Sequence, residues 1–462
     1  MLVACALLAA AVAAAAAADR PPLAIRAVTV VDVVAGAHVG PRTVLVVDGR
    51  IAAVGARDEV QVPAGAVVID GAGRYLIPGL VDMHVHLFNN HSGRPHNDWA
   101  FPLYVAHGVT GVREMWVQPG SMDVVAGWRR QVEEGALVAP RVLAAGSRVQ
   151  EAAPHDARRA VRELARAGVD FVKVFSRIPP QGWRAALAEA ARRGLPVAGH
   201  VPAQVRLLDA AEAGQRSNEH LTQVHEACTS IQDELLAERA GLDPERLGTR
   251  MQAQETRVLA AFDALQCRTR ARRLAATGQA QVPTLVMARM ELALLDPAHA
   301  TDPRLNLLRE DERARWQRIL GQLGPVDAAL ARQRWEVTRR IVGILHRAGV
   351  PLLAGTDSPM PLVYPGYALH EELALLVESG LTPVEALRAA TIGPMRWLGL
   401  EAEAGSIEAG KRADLVVLDA DPLADIAHTR AIHAVVLAGR LHDRGALDAM
   451  LPMQAADERP AH

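Results

Sequence analysis

Apolar and polar positions follow two different patterns along this chain, and the change of pattern divides it into parts. Over residues 22–75, short β-branched runs alternate with turn residues. Segments 24–32, 42–48 and 50–54 read as strands, punctuated by Gly40-Pro41 and by Asp48-Gly49, a hairpin signal. The same texture returns at 413–419 and 432–438, the latter closed by Gly439-Arg440. Neither end carries enough apolar surface to fold alone. Both are therefore expected to build one small discontinuous β-sandwich, from residues 19–78 and 402–447, with 448–462 as a tail.

Between them, residues 79–401 alternate short apolar runs with amphipathic stretches. The runs fall at 80–86, 109–115, 141–145, 171–175, 197–200, 217–220, 282–286 and 352–357, with helical patterns such as 157–167 and 183–193 each ended by glycine. Eight βα units in this length predict an α/β fold of the (β/α)8 TIM-barrel kind rather than an open doubly wound sheet. The segment 222–281 is mostly helical and too long for a βα loop, so an insertion over the catalytic face is expected. No G-x-G-x-x-G follows a strand and no G-x-S-x-G elbow occurs, which removes support for nucleotide-cofactor and serine-hydrolase readings.

Composition narrows the partners. A net charge of −2 gives no electrostatic reason to expect nucleic acid. Residues 1–18 are uncharged and almost all Ala, Leu and Val, and Ala16-Ala17-Ala18 before Asp19 offers an Ala-x-Ala cleavage site. Although a basic n-region is missing, a signal peptide and a periplasmic or extracellular location are expected. No stable membrane span is expected, and a homo-oligomer is left open. With Cys5 removed, Cys228 and Cys267 remain, and in an oxidising compartment they could pair. Of the 50 basic residues only Lys173 and Lys411 are lysine. They mark sites where an amine does something a guanidinium cannot.

The chemistry gathers at strand ends. In Leu76-Ile-Pro-Gly-Leu-Val-Asp-Met-His-Val-His86, His84 and His86 sit two apart, on the same face of a strand. Lys173 falls on the fourth run, His200 and His220 end the fifth and sixth, and Asp357 ends the eighth. A lone histidine there is ordinarily a structural one. Packing does not readily produce all six in this order, whereas metal ions would draw on each of them. A lysine fits such a set if its neutral amine adds carbon dioxide, giving a carbamate with two oxygens to offer.

His84-x-His86, Lys173, His200, His220 and Asp357 resemble the binuclear metal pattern of the amidohydrolase superfamily. Val172-Lys-Val-Phe175, Gly199-His-Val-Pro202, Glu219-His-Leu-Thr222 and Gly355-Thr-Asp357 resemble its imidazolonepropionase-like and Xaa-Pro dipeptidase-like branch. Gly405-Ser-Ile-Glu-Ala-Gly-Lys-Arg-Ala-Asp414 is similar to the turn by which such chains re-enter the sandwich, a structural place for Lys411. The resemblance implies two divalent metal ions, zinc by default: one on His84, His86 and Asp357, the other on His200 and His220. Lys173, carbamylated by CO2, and a hydroxide bridge them, and Asp357 is the catalytic proton carrier. Imidazolonepropionase itself uses a single-metal site without the bridging lysine, so Lys173 points to the dipeptidase-like relatives. The implied reaction is hydrolysis of an amide-type C–N bond in a dipeptide, an N-acyl amino acid or another small molecule. Cyclic-amide hydrolysis, and lactone or phosphotriester cleavage, are the alternatives. Asp82 should face the same way as His84, deeper in the fold. Candidate substrate residues are Arg113 as a carboxylate clamp, with Glu114 its bland partner; His91, Arg94 and His96 in a polar loop; and Tyr364 and Tyr367. His370 reads as structural.

Overall fold

The computed structural model describes residues 20–88, 95–118 and 120–451. The expected leader, together with His91 and Arg94, lies outside the described residues.

Strands β1 (Leu23–Asp32), β2 (Ala37–Val47), β3 (Arg50–Gly55), β4 (Val67–Asp70) and β5 (Tyr75–Pro78) come from the N-terminal part. β6 (Leu80–Val85), β7 (Val109–Glu114), β8 (Arg141–Val149), β9 (Phe171–Val174), β10 (Val197–Gly199), β11 (Ser217–Glu219) and β12 (Ala280–Val282) follow with helices between them. β13 (Leu415–Leu418), β14 (Ile432–Leu437) and β15 (Arg440–His442) close the chain.

Both ends do fold together, but hydrogen bonding joins them as one eight-stranded sheet rather than as separate layers. The reason is β5, which pairs parallel with β1 and antiparallel with β13 and so bridges the two parts. Alternation along β13 couples this sheet to the rest of the molecule. Leu415 and Val417 face a core shared with Ile25, Val44 and Leu76, while Val416 and Leu418 enter the main core. Burial on both faces explains why the run contains no polar residue.

The middle of the chain is a TIM-barrel-like α/β unit. β6 to β10 form a parallel five-stranded sheet in sequence order, and β11 pairs parallel with β12. Parallel bridges continue the series: Val197 to Gln215, Gln281 to Leu352, and Val85 to Ser358. The main core lies between these strands and their helices. The helix Pro154–Ala167, for example, buries Ala157 and Val161 and ends at Gly168 in the left-handed region.

Two of the expected strands differ. Residues 282–286 do not continue as a strand: Pro283 has no N–H to give a ladder, Thr284 has φ of 48°, and Leu285–Ala288 turns into a helix. Residues 352–357 form no regular strand, yet they hold the strand position through Leu353 N–H to Gln281 O and Met83 N–H to Ala354 O. The segment 222–281 is helical, as expected, and a disulfide joins its Cys228 to Cys267. Among the described residues no helix is long and apolar enough to cross a membrane.

Candidate metal centre

The end of β6 and the residue after it deliver His84 and His86 side by side, with ring centroids 5.4 Å apart. Asp357 lies across from them: its Oδ1 is 3.0 Å from His86 Nε2 and 3.3 Å from His84 Nε2. One ligand atom from each of the three residues falls within 4.8 Å of the others, a spacing that could hold a metal ion. His220 extends the cluster, its Nε2 being 3.9 Å from Asp357 Oδ2, and His200 stands ring to ring with His220 at 5.0 Å. Lys173 lines the same cavity as His86, His200, His220 and Asp357.

Local backbone makes this convergence possible. Asp357, His220 and Thr284 all have positive φ, at 66°, 58° and 48°, a conformation that costs energy and that clusters at functional sites. In a regular strand Glu219 and His220 would face opposite ways. The left-handed kink at His220 brings both inward. Close approach also demands glycine: a Cβ at Gly355 would meet Val282 Cγ1 at 2.6 Å and His84 Cβ at 3.0 Å.

Three of the four imidazoles are oriented from behind. His84 Nδ1 donates to Glu219 Oε2 at 2.9 Å. Thr284 donates its hydroxyl proton to the Pro283 carbonyl, so its oxygen accepts from His220 Nδ1 at 2.7 Å. His200 Nδ1 pairs with Ser176 Oγ, also at 2.7 Å. Such bonds fix the tautomer and leave a lone pair on the other nitrogen. Accordingly, among the described residues, His84 Nε2 and His200 Nε2 are buried without a hydrogen-bond partner; His86, whose Nε2 faces Asp357, leaves its Nδ1 buried and unpaired as well. Buried nitrogens of this kind are costly unless something accepts their lone pairs. The donor set fits a metal.

Charge states agree with that fit. Burial lowers the pKa of His84 and His200 well below the usual value, and that of His220 below it, which favours the neutral form that gives a lone pair to a metal. Burial alone would raise Asp357, but His84, His220 and His86 outweigh it and keep the carboxylate ionised. Burial also lowers Lys173, against the pull of Asp357, Glu219 and Glu114.

Several expected roles need correction. Arg113 is no substrate clamp. It is fully buried, its Nη2 is 2.9 Å from both oxygens of Glu219, and Nη1 and Nε donate to Ser217 Oγ and the Met83 carbonyl. Every guanidinium nitrogen is engaged, and Glu219 rather than Glu114 is the partner. Glu114 instead accepts the N–H groups of Leu87 and Trp116. His96 packs edge-on against Phe88 and Trp128, away from the cavity wall. Tyr367 accepts from Arg430 and lies under Arg304, and with Tyr364 it lines a separate groove. Asp82 accepts from His84 N–H and from the N–H and hydroxyl of Thr356, tying β6 to the 352–357 segment. His370 is held by Thr429 and the His107 carbonyl, and Lys411 by Ser406 and Glu408.

The cavity above the cluster measures about 820 Å³. Its far wall comes from Met287, Arg315, Arg318 and Ile319, so the segment that covers the site follows β12 instead of preceding it. No role for Glu219, Ser176, Thr284 or that wall was read from the sequence, although Glu219 stands in the motif Glu219-His-Leu-Thr222. Only Glu219 had a signal there, its place beside His220 on a polar strand.

Fold and cluster together define a metal-dependent hydrolase of the TIM-barrel-like type. The comparisons are specific: the model for the amidohydrolase family matches residues 75–441. The chain belongs to that family, in the branch that holds imidazolonepropionase-like and Xaa-Pro dipeptidase-like members, and it is a hydrolase acting on C–N bonds. It is 28% identical to the imidazolonepropionase of Sphingopyxis alaskensis over 412 residues, covering 82% of this chain and 87% of the relative. Among solved structures, a Bifidobacterium longum chain described provisionally as a prolidase is 26% identical, with TM-score 0.63, over 93% of this chain and 98% of that one. A bottromycin amidohydrolase is also 26% identical, with TM-score 0.69, over 94% and 90%.

Proposed function

We propose that this hydrolase cleaves the amide-type bond of a dipeptide or an N-acyl amino acid on a site holding two divalent cations, zinc by default. The observation that carries the reading is the set of buried, partnerless imidazole nitrogens around an ionised Asp357. His84, His86 and Asp357 would hold one ion, and His200 and His220 the other. A carbamate on Lys173 would serve both, and burial favours the neutral amine that CO2 needs.

When bound, such cations make water a nucleophile at neutral pH and polarise the scissile carbonyl. The chain's own residues supply the rest. Asp357 takes the proton from the attacking water on a carboxylate oxygen and passes it to the departing amine nitrogen. Glu219, Ser176 and Thr284 hold the three rings in place while this happens. Phe88, Phe175, Met287, Ile319 and Met360 give the cavity apolar walls that exclude bulk water.

The same reading includes a closed (β/α)8 barrel, supported by the bridges at Val197, Gln281 and Val85. It also includes export, supported by the apolar leader and the Cys228–Cys267 disulfide. A second reading, cyclic-amide hydrolysis, is favoured by the imidazolonepropionase relatives. A screen of the metal-loaded protein over dipeptides, N-acyl amino acids, cyclic amides, lactones and phosphotriesters separates them. Turnover of the first two classes is expected. Turnover confined to cyclic amides would select the second reading, and turnover confined to lactones or phosphotriesters would refute both.

A further inference from the structure

With Arg113 committed to Glu219, the cation that faces the substrate space must be another residue. Arg148 lies on β8 directly opposite Lys173 in the parallel register, and it lines the same cavity. Its guanidinium is 3.9 Å from the centroid of the Trp116 ring and 5.7 Å from that of Phe175. Phe175 itself stacks on His200 with centroids 4.3 Å apart, so this aromatic bracket connects Arg148 to the cluster. Stacking holds the plane of the guanidinium and leaves its N–H edge available. Among the described residues Arg148 donates to no oxygen, and its contacts are the two ring faces. Burial lowers its pKa, and only Glu151 opposes the shift. It is a partly desolvated cation without a close counter-ion.

The other arginines in the cavity are different. Arg315 spends its Nε on Glu312 and its Nη2 on Glu312 and the Pro359 carbonyl. Arg318 is an exposed side chain with nothing stacked on it. Asp357 is the one carboxylate among the described lining residues. A space in which Arg148 is the stacked cation without a carboxylate partner, beside apolar walls, suits a substrate that carries its own anion next to an apolar group.

We propose that Arg148 is the anchor for a substrate carboxylate and sets this enzyme's preference for free acids over their neutral counterparts. The proposal deepens the function assigned above, and rests on it only for the identity of the bond placed over the cluster. A planar carboxylate takes two parallel N–H bonds from such an edge. That geometry fixes the distance from the anchored carboxyl to the scissile carbonyl, and so selects which amide reaches Asp357.

The test compares N-acetyl-L-phenylalanine with N-acetyl-L-phenylalaninamide in the metal-loaded protein, by kcat/KM and by calorimetric binding in an Asp357→Asn background. Wild type is expected to favour the acid about tenfold or more, the scale of a charge-assisted contact. Arg148→Met should bring the ratio close to one, Arg148→Lys should keep part of it, and Arg318→Met should leave it unchanged. If Arg148→Met keeps the wild-type ratio, or if the acid binds no better than the amide in wild type, the anchor is refuted and the hydrolase reading stands. If neither amide is cleaved but binding prefers the acid only while Arg148 is present, the anchor stands and the function proposed above falls.

Discussion

Replacing Glu219 with glutamine tests how the cluster is held. Four contacts converge on this buried carboxylate: Arg113 Nη2 at 2.9 Å from each oxygen, Ser217 Oγ at 2.6 Å and His84 Nδ1 at 2.9 Å. A glutamine keeps the shape but offers one accepting oxygen, and its NH2 must then face donors. Arg113, with no exposure to solvent, would keep its charge and lose its anion. Breaking a buried pair in this way costs about 3–5 kcal/mol, a large part of the roughly 5–15 kcal/mol that holds a typical domain. His84 also loses a firm acceptor, and losing such a partner weakens metal affinity by about 10–100-fold. Urea unfolding of the metal-free protein and competition for metal with a chelator read the two effects separately. The double variant Arg113→Met, Glu219→Gln should recover much of the stability, because no unpaired charge remains, while metal binding stays weak. A Glu219→Gln protein with wild-type urea midpoint and wild-type metal affinity would refute the reasoning.

Two further outcomes follow from other parts of the molecule. Asp357→Asn should lower kcat by about 10²-fold or more while far-ultraviolet circular dichroism stays unchanged, and a near-normal rate would remove Asp357 from proton transfer. Burial raises Glu372 from 4.5 to about 8, against the N–H groups of Leu285 and Val286. Between those values the folded state binds more protons than the unfolded one, so stability falls as pH rises from 4.5 to 8 and levels off above it. Glu372→Gln should therefore gain at least about 1 kcal/mol over wild type at pH 8 relative to pH 5. Urea midpoints at the two pH values check this, and the same difference at both would contradict a protonated Glu372.

The sequence made the strand-end chemistry legible because period-two alternation places His84 with His86, and because a composition almost without lysine singled out Lys173. The pairing of both chain ends was legible from their shared strand texture. What sits across the fold from a given side chain was not. Arg113 read as a clamp because nothing local shows that Glu219 waits 106 positions away. Tyr367 and His96 are near the site in sequence or loop, yet their rings are taken up by Arg304, Phe88 and Trp128. The left-handed residues His220, Thr284 and Asp357 leave no mark in a hydrophobic pattern, so the break after β12 and the wall that follows it were hidden. Arg148 was hidden too, since its significance lies in what it lacks.

The central claim is a two-ion site that depends on Lys173. Its most direct test is the metal content per chain of the wild type and of Lys173→Ala, both purified with metal present. The account predicts about two ions in the wild type and at most one in the variant, partly restored by a short carboxylic acid. One ion in the wild type, unchanged by loss of Lys173, would contradict it.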